Sequence, residues 1–246
     1  MSKLGWTAAA GLSVGCVALG LTVALGADEW SRFRFDDLMA MGACESDDTG
    51  IGVPDGSERR WAWTGGDTVV VMVPADVHYR GGEGDEVIVR GAPSLVSRVR
   101  VGDGEISMCK GNRGGGRLEV TLPGRQFRSM SVAGSADMTL ENVTSPDLML
   151  GIAGSGNIRA QGTSENVKIN IAGSGDAHVA DLTVKNMKLD IAGSGSAEAA
   201  PQDSLDLRIA GSGELKLLSQ PKKVSTKIAG SGKIVQVADG TTKHSD

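Results

Sequence analysis

The chain has 246 residues and a formal net charge of −5, and no run of Lys or Arg in it is dense enough to form a phosphate-binding stripe, which excludes nucleic acid as a partner. Its 36 glycines and 3% aromatic content point to many tight turns around a core of small aliphatic side chains. Every aromatic residue lies at or before Phe127, so the C-terminal half has no platform for stacking bases or sugar rings.

After Lys3 the chain carries no charge from Leu4 to Ala27, a length sufficient to cross a hydrocarbon layer of ~30 Å as a helix. Asp28 and Glu29 follow, and this charge order places the N-terminus in the cytoplasm and the remainder outside it. Residues 1–27 therefore read as an apolar helix that is either a retained signal anchor or a signal peptide, with Ala24 to Ala27 as the small-residue cleavage site. The length favours the anchor. Cys16 also has a small-residue context, but the Leu of a lipoprotein signal is missing and the apolar run continues past it.

Residues 28–59 read as a linker rich in turn formers, with Trp30, Phe33, Leu38 and Met41 only loosely following a helical face. Cys44 and Cys109 are a candidate disulfide in an oxidising compartment, and two separate thiols are the other reading. Residues 60–125 read as irregular, β-rich first coils: Trp61 to Trp63, Thr68 to Val73, Glu86 to Arg90 and Val99 to Val101 are strand-like and are separated by Gly-rich turns. Arg113 to Arg117 marks a loop or seam before the regular part.

Residues 126–238 carry the dominant pattern. Ile-Ala-Gly-Ser-Gly begins at Ile152, Ile171, Ile191, Ile209 and Ile228, and a variant begins at Val132; successive starts are 20, 19, 20, 18 and 19 residues apart. A fixed period of this size marks stacked repeats. Before each motif the apolar residues alternate, as in Val167, Ile169 and Ile171, and alternation resumes after it, as in Ala177 and Val179. A period of two excludes helical repeats, and the Leu and Asn positions of a leucine-rich repeat are absent. The expected fold is all-β, a right-handed parallel β-helix (solenoid) with coils of about 19 residues and aliphatic ladders inside. The Gly-Ser-Gly turns are corners that need positive φ; no helix or Lys follows them as a phosphate loop requires. Residues 239–246 form a polar tail.

The Ile-Ala-Gly-Ser-Gly ladder, with Trp61-Ala62-Trp63-Thr64-Gly65-Gly66-Asp67 and Val73-Pro74-Ala75-Asp76-Val77 ahead of it, resembles the head GIN domain family, the auto-transporter adhesin-like proteins of bacterial envelopes. The similarity spans approximately residues 60–238. It implies a β-helix in an exported bacterial protein and carries no catalytic residues with it. No segment resembling an auto-transporter's membrane barrel follows the repeats.

On the strand after each turn, two outward columns form a candidate binding face: Asp137, Asn157, Asp176 and Glu214 in one, and Arg159, His178, Glu198 and Lys216 in the other. Asp137 and Asp176 fall two rungs apart, near ~10 Å at the usual strand spacing, just beyond an inverting carboxylate pair. A solvated, charge-mixed face explains these residues better than catalysis, so no catalytic, cofactor-binding or metal-ligating residue is assigned. Calcium would need an Asp in every repeat, and no Cys/His spacing suggests zinc. Trp61 and Trp63 are the alternative contact site, as exposed aromatics. The expected function is an extracytoplasmic, membrane-anchored envelope protein with an adhesin-like binding head for a glycan or protein ligand. A structural element that self-associates through its ends is the alternative, and a polysaccharide-active enzyme is a distant third.

Overall fold

The computed structural model describes residues 50–53, 55–82, 84–109 and 115–237. The apolar segment 1–27, the linker to residue 49, Cys44 and the tail 239–246 lie outside the described residues, as do the first two residues of the 113–117 seam and the last residue of the repeats. By contacts the chain divides into residues 1–41 and 42–246, and only the second is described here.

That unit is a β-solenoid of about five turns, with almost no helix. Its regular part consists of β9 (Ser129–Gly134), β10 (Asp137–Gly154), β11 (Asn157–Gly173), β12 (Asp176–Gly193), β13 (Ser196–Gly211), β14 (Glu214–Leu217), β15 (Lys223–Gly230) and β16 (Lys233–Gln236). Each of β10 to β13 runs for nearly a whole coil and pairs in parallel with the next. The predicted repeat is therefore one rung, with a register shift after residue 140, 159 or 179 where the short third side varies in length.

The register stacks identical positions. Val71, Val132, Ile152, Ile171, Ile191, Ile209 and Ile228 form one ladder, and Val69, Met130, Leu150, Ile169, Leu189, Leu207 and Thr226 form another. Ile171 and Leu189 are fully buried. Removing such a side chain from water contributes about 1.5–3 kcal/mol, repeated at every rung. The third side places Ser145 and Ser164 inward; each hydroxyl donates to a nearby carbonyl, of Asp147 at 2.7 Å and Asn166 at 3.1 Å, so neither is left unsatisfied.

The corners follow from backbone geometry. Gly173 has φ +128°, and a Cβ there would stand 2.2 Å from the Gly154 carbonyl oxygen one rung below. No L side chain fits that position without displacing backbone. The closeness serves a bond, because the next residue's amide, Ser174 N–H, donates to that same carbonyl at 2.9 Å.

The first half is less regular than the repeats but joins the same sheet. β3 (Thr68–Val71), β4 (Ala75–Arg80), β7 (Glu105–Met108) and β8 (Leu118–Thr121) enter the parallel stack. By contrast β1 (Ile51–Gly52), β2 (Glu58–Ala62) and β5 (Glu86–Arg90) run antiparallel over this end, and β6 (Val99–Gly102) turns back on β7. Together with the single-turn α1 (Pro93–Val96) they seal it with Trp61, Val87, Val89, Leu95 and Val96. Sequence reading missed α1, β1, β4, β7 and β8; α1 is a single turn begun by Pro93 at its first position.

One expectation is corrected here. Trp61 is 3% exposed and belongs to the core, with the Arg59 guanidinium 5.0 Å from its ring centroid. Trp63 is half-buried, packs edge-on to Phe127 at 5.5 Å and donates its ring N–H to the Gly66 carbonyl at 3.1 Å. The pair is not an exposed aromatic platform, because the antiparallel cap needs large side chains to close a wide end.

Candidate functional site

The strand segments that follow the Gly-Ser-Gly corners make one continuous face. Glu119, Asp76, Asp137, Asn157, Asp176, Ser196, Glu214 and Lys233 stack in one column. Thr121, His78, Thr139, Arg159, His178, Glu198, Lys216 and Val235 stack in the second. All eight sequence-predicted face residues are thus brought together, in the predicted order. Sequence reading began the columns at Asp137; the structure extends them through β4 and β8.

The first column is stitched. Asp137 Oδ1 accepts from the Asn157 backbone N–H at 3.0 Å and from its Nδ2 at 2.7 Å. Asn157 Oδ1 accepts from the Asp176 N–H at 3.2 Å, and Asp176 Oδ1 accepts from the Ser196 N–H at 3.1 Å and from its hydroxyl. Each side chain thus reaches up to the first amide of the next strand, where the corner leaves a donor without a ladder partner. Asp137 and Asp176 stand two rungs apart, each holding the rung above. At the lower end Arg117 spans two carboxylates, with Nη2 at 2.7 Å from Asp76 and 2.6 Å from Asp137. The Asp76 carboxylate, then Asp137, raise the Arg117 guanidinium above its usual value. Arg117 carries no repeat signature, so sequence alone gave no sign of this clamp.

The second column is mixed in charge, with Arg159, Glu198 and Lys216 among neutral residues and histidines. Glu198 lies between His178, 3.5 Å from its Nδ1, and Lys216, 2.8 Å from its Nζ. The Lys216 hydrogen bond, with a smaller contribution from His178, holds the Glu198 carboxyl below its usual range. Arg159 is exposed between Thr139 and His178. Among the described residues no group of three or more His, Cys, Asp or Glu is arranged to hold a metal ion.

A second face, before each corner, was not singled out in the sequence. Asp147, Asn166, Asn186 and Ser204 form a hydrogen-bonded ladder, with successive contacts of 2.9, 3.0 and 2.7 Å. Beside it Asn170, Asp190, Arg208 and Lys227 stack in register. Asp190 is buried, and that burial raises its carboxyl above the usual range against the opposing effect of Lys188, Arg208 and Lys168. Cys109 is disulfide-bonded; Cys44, its expected partner, lies outside the described residues.

Comparison with known proteins agrees with this architecture. A crystal structure of a "putative adhesin" from Bacteroides fragilis NCTC 9343 superposes with a TM-score of 0.55 at 16% identity, covering 73% of this chain and 96% of its own. A "putative lipid binding protein" from Parabacteroides distasonis ATCC 8503 gives a TM-score of 0.45 at 20% identity, with 76% and 98% covered. At 16% identity the likeness to the Bacteroides fragilis structure is one of fold. No curated protein matches the chain. The family described as "Putative auto-transporter adhesin, head GIN domain" matches residues 67–221, more than half of the chain, and the chain belongs to that family.

Proposed function

We propose that the solenoid is the rigid recognition head of an extracytoplasmic envelope protein, anchored through its N-terminal segment, and that the face after the corners binds a surface glycan or protein. The single observation that carries this reading is the in-register pair of columns from Glu119 and Thr121 to Lys233 and Val235. A flat parallel sheet with a fixed rung spacing presents mixed charges at set intervals, with little entropy left to lose on binding. The two columns divide the work: Asp137, Asn157 and Asp176 fasten rungs, while Arg159, His178, Glu198 and Lys216 present charge to a partner. The coils are right-handed, as about 98% of parallel crossover connections are. Adhesin-like relatives and family membership support the binding class over an enzymatic one.

The test exchanges the internal pair, Glu198→Lys with Lys216→Glu, and adds Arg159→Glu. The exchange keeps an ion pair between adjacent rungs, so the fold survives while the outward pattern reverses. Wild type should attach to a glycan array or to cells, and the folded triple variant should not. Equal attachment by both would remove this face from consideration.

A further inference from the structure

The two ends of the solenoid are built differently. The N-terminal end is closed by β1, β2, β5 and α1, with Trp61, Leu95 and Val96 buried beneath them. Among the described residues the C-terminal end has no such cover: every residue of β15 is exposed. The inward ladder positions Val224 and Ile228 are 52% and 42% exposed, whereas Ile209, one rung below Ile228, is 2% exposed. The far edges of β15 and β16 pair with no strand among the described residues. An end rung that leaves both core side chains and backbone donors open is a template for another strand.

We propose that this end is the interface of a homodimer, two copies meeting tail to tail across a two-fold axis. The inference is independent of the binding face and goes beyond it. One capped and one open end per chain limit the assembly to two copies, because head-to-tail stacking would bury an open end against a sealed one. A two-fold axis sets β15 antiparallel to its own copy. Keeping inward positions facing inward requires a register centred on a residue; centring on Ser225 or Lys227 would set Lys223 against Lys227 or Lys227 against itself, which leaves the register centred on Thr226, in which Val224 lies across from Ile228 of the second copy and Thr226 from itself. Lys223 then meets Ala229, and Lys227 meets Ser225, so no lysine opposes a lysine. The other two lysines of the last rung are already occupied: Lys222 pairs with Asp203 at 2.6 Å and Lys233 with Glu214 at 2.7 Å. Thr226, where every other rung of that ladder is apolar, gains a hydroxyl partner at the axis.

The contact is confined to a single end rung and is therefore small, so association should depend on concentration. The experiment uses the full chain, expressed in membranes and also solubilised in detergent. Thr226→Cys should form a disulfide-linked dimer under mild oxidation beyond the wild-type background, because paired antiparallel positions lie ~4.5–5.5 Å apart at Cα. Co-expressed, differently tagged Val224→Cys and Ile228→Cys chains should cross-link to each other, while Val224→Cys alone should not. In sedimentation, Val224→Lys with Ile228→Lys should weaken the dimer at least about tenfold. Three results would each overturn the proposal: no cross-link above background at Thr226→Cys, equal cross-linking by Val224→Cys alone, or a monomer at all concentrations. A monomer that is retained on phosphatidylglycerol vesicles through these lysines would assign the end to an anionic surface instead.

Discussion

Asp190 Oδ1 and Arg208 Nε face each other on adjacent rungs at 4.0 Å, and neither atom has a hydrogen-bond partner although both are buried. That separation is too long for a hydrogen bond, so the carboxylate is desolvated without full compensation. Its pKa is raised, chiefly by burial. A carboxyl that binds its proton more tightly in the folded state is most favourable below its unfolded value of 3.8. Its contribution is lost as pH rises through the folded value. Asp190→Asn should therefore raise the melting temperature at pH 7 by about 2–4 °C, corresponding to ~1 kcal/mol. The gain should vanish below about pH 4. An equal gain at both pH values would mean that ionisation of Asp190 is not the cause.

Glu198 predicts the opposite sign. Its carboxyl is held below the usual 4.5, first by the Lys216 hydrogen bond, so its contribution is present above that value and lost as pH falls through the folded one. Glu198→Gln should cost up to ~1 kcal/mol at pH 7 and nothing near pH 2, where both chains carry a neutral side chain. Denaturant titration at the two pH values measures this directly.

Arg117 separates two carboxylates on adjacent strands, Asp76 and Asp137. Arg117→Ala should destabilise by about 1 kcal/mol, partly through the repulsion it uncovers. Asp137→Asn in the same chain should recover part of that loss while keeping an acceptor for the Asn157 amide. A double-mutant cycle with zero coupling energy would show that the clamp holds only backbone.

The corner and the ladder fail by different mechanisms. Gly173→Val places a branched side chain at φ +128° against the Gly154 carbonyl and should cost more than the ~1–3 kcal/mol of backbone strain alone. Ser174→Ala keeps the rung-to-rung amide bond and should cost less. Ile171→Ala, in a fully buried position, should cost about 2–5 kcal/mol through the cavity it leaves. Thermal unfolding of the three variants gives the order.

The sequence by itself determined the solenoid, because the requirements of a stacked rung recur every rung. Inward positions must be aliphatic and the corner must be glycine, so Ile152, Ile171, Ile191, Ile209 and Ile228 announce the period and the two outward columns follow from alternation. Only the tertiary structure decided what occurs once. The burial of Trp61, the α1 cap and the Arg117 clamp join residues with no periodic counterpart, and the Asp190–Arg208 contact depends on which side chains happen to occupy one repeat position on adjacent rungs. The open C-terminal rung is of the same kind: Val224 and Ile228 obey the inward pattern as faithfully as Leu205 and Ile209 do, and they are exposed because no strand among the described residues lies over them. Alternation states which way a side chain points, while burial depends on what is packed against it, and that is settled by chain segments distant in sequence.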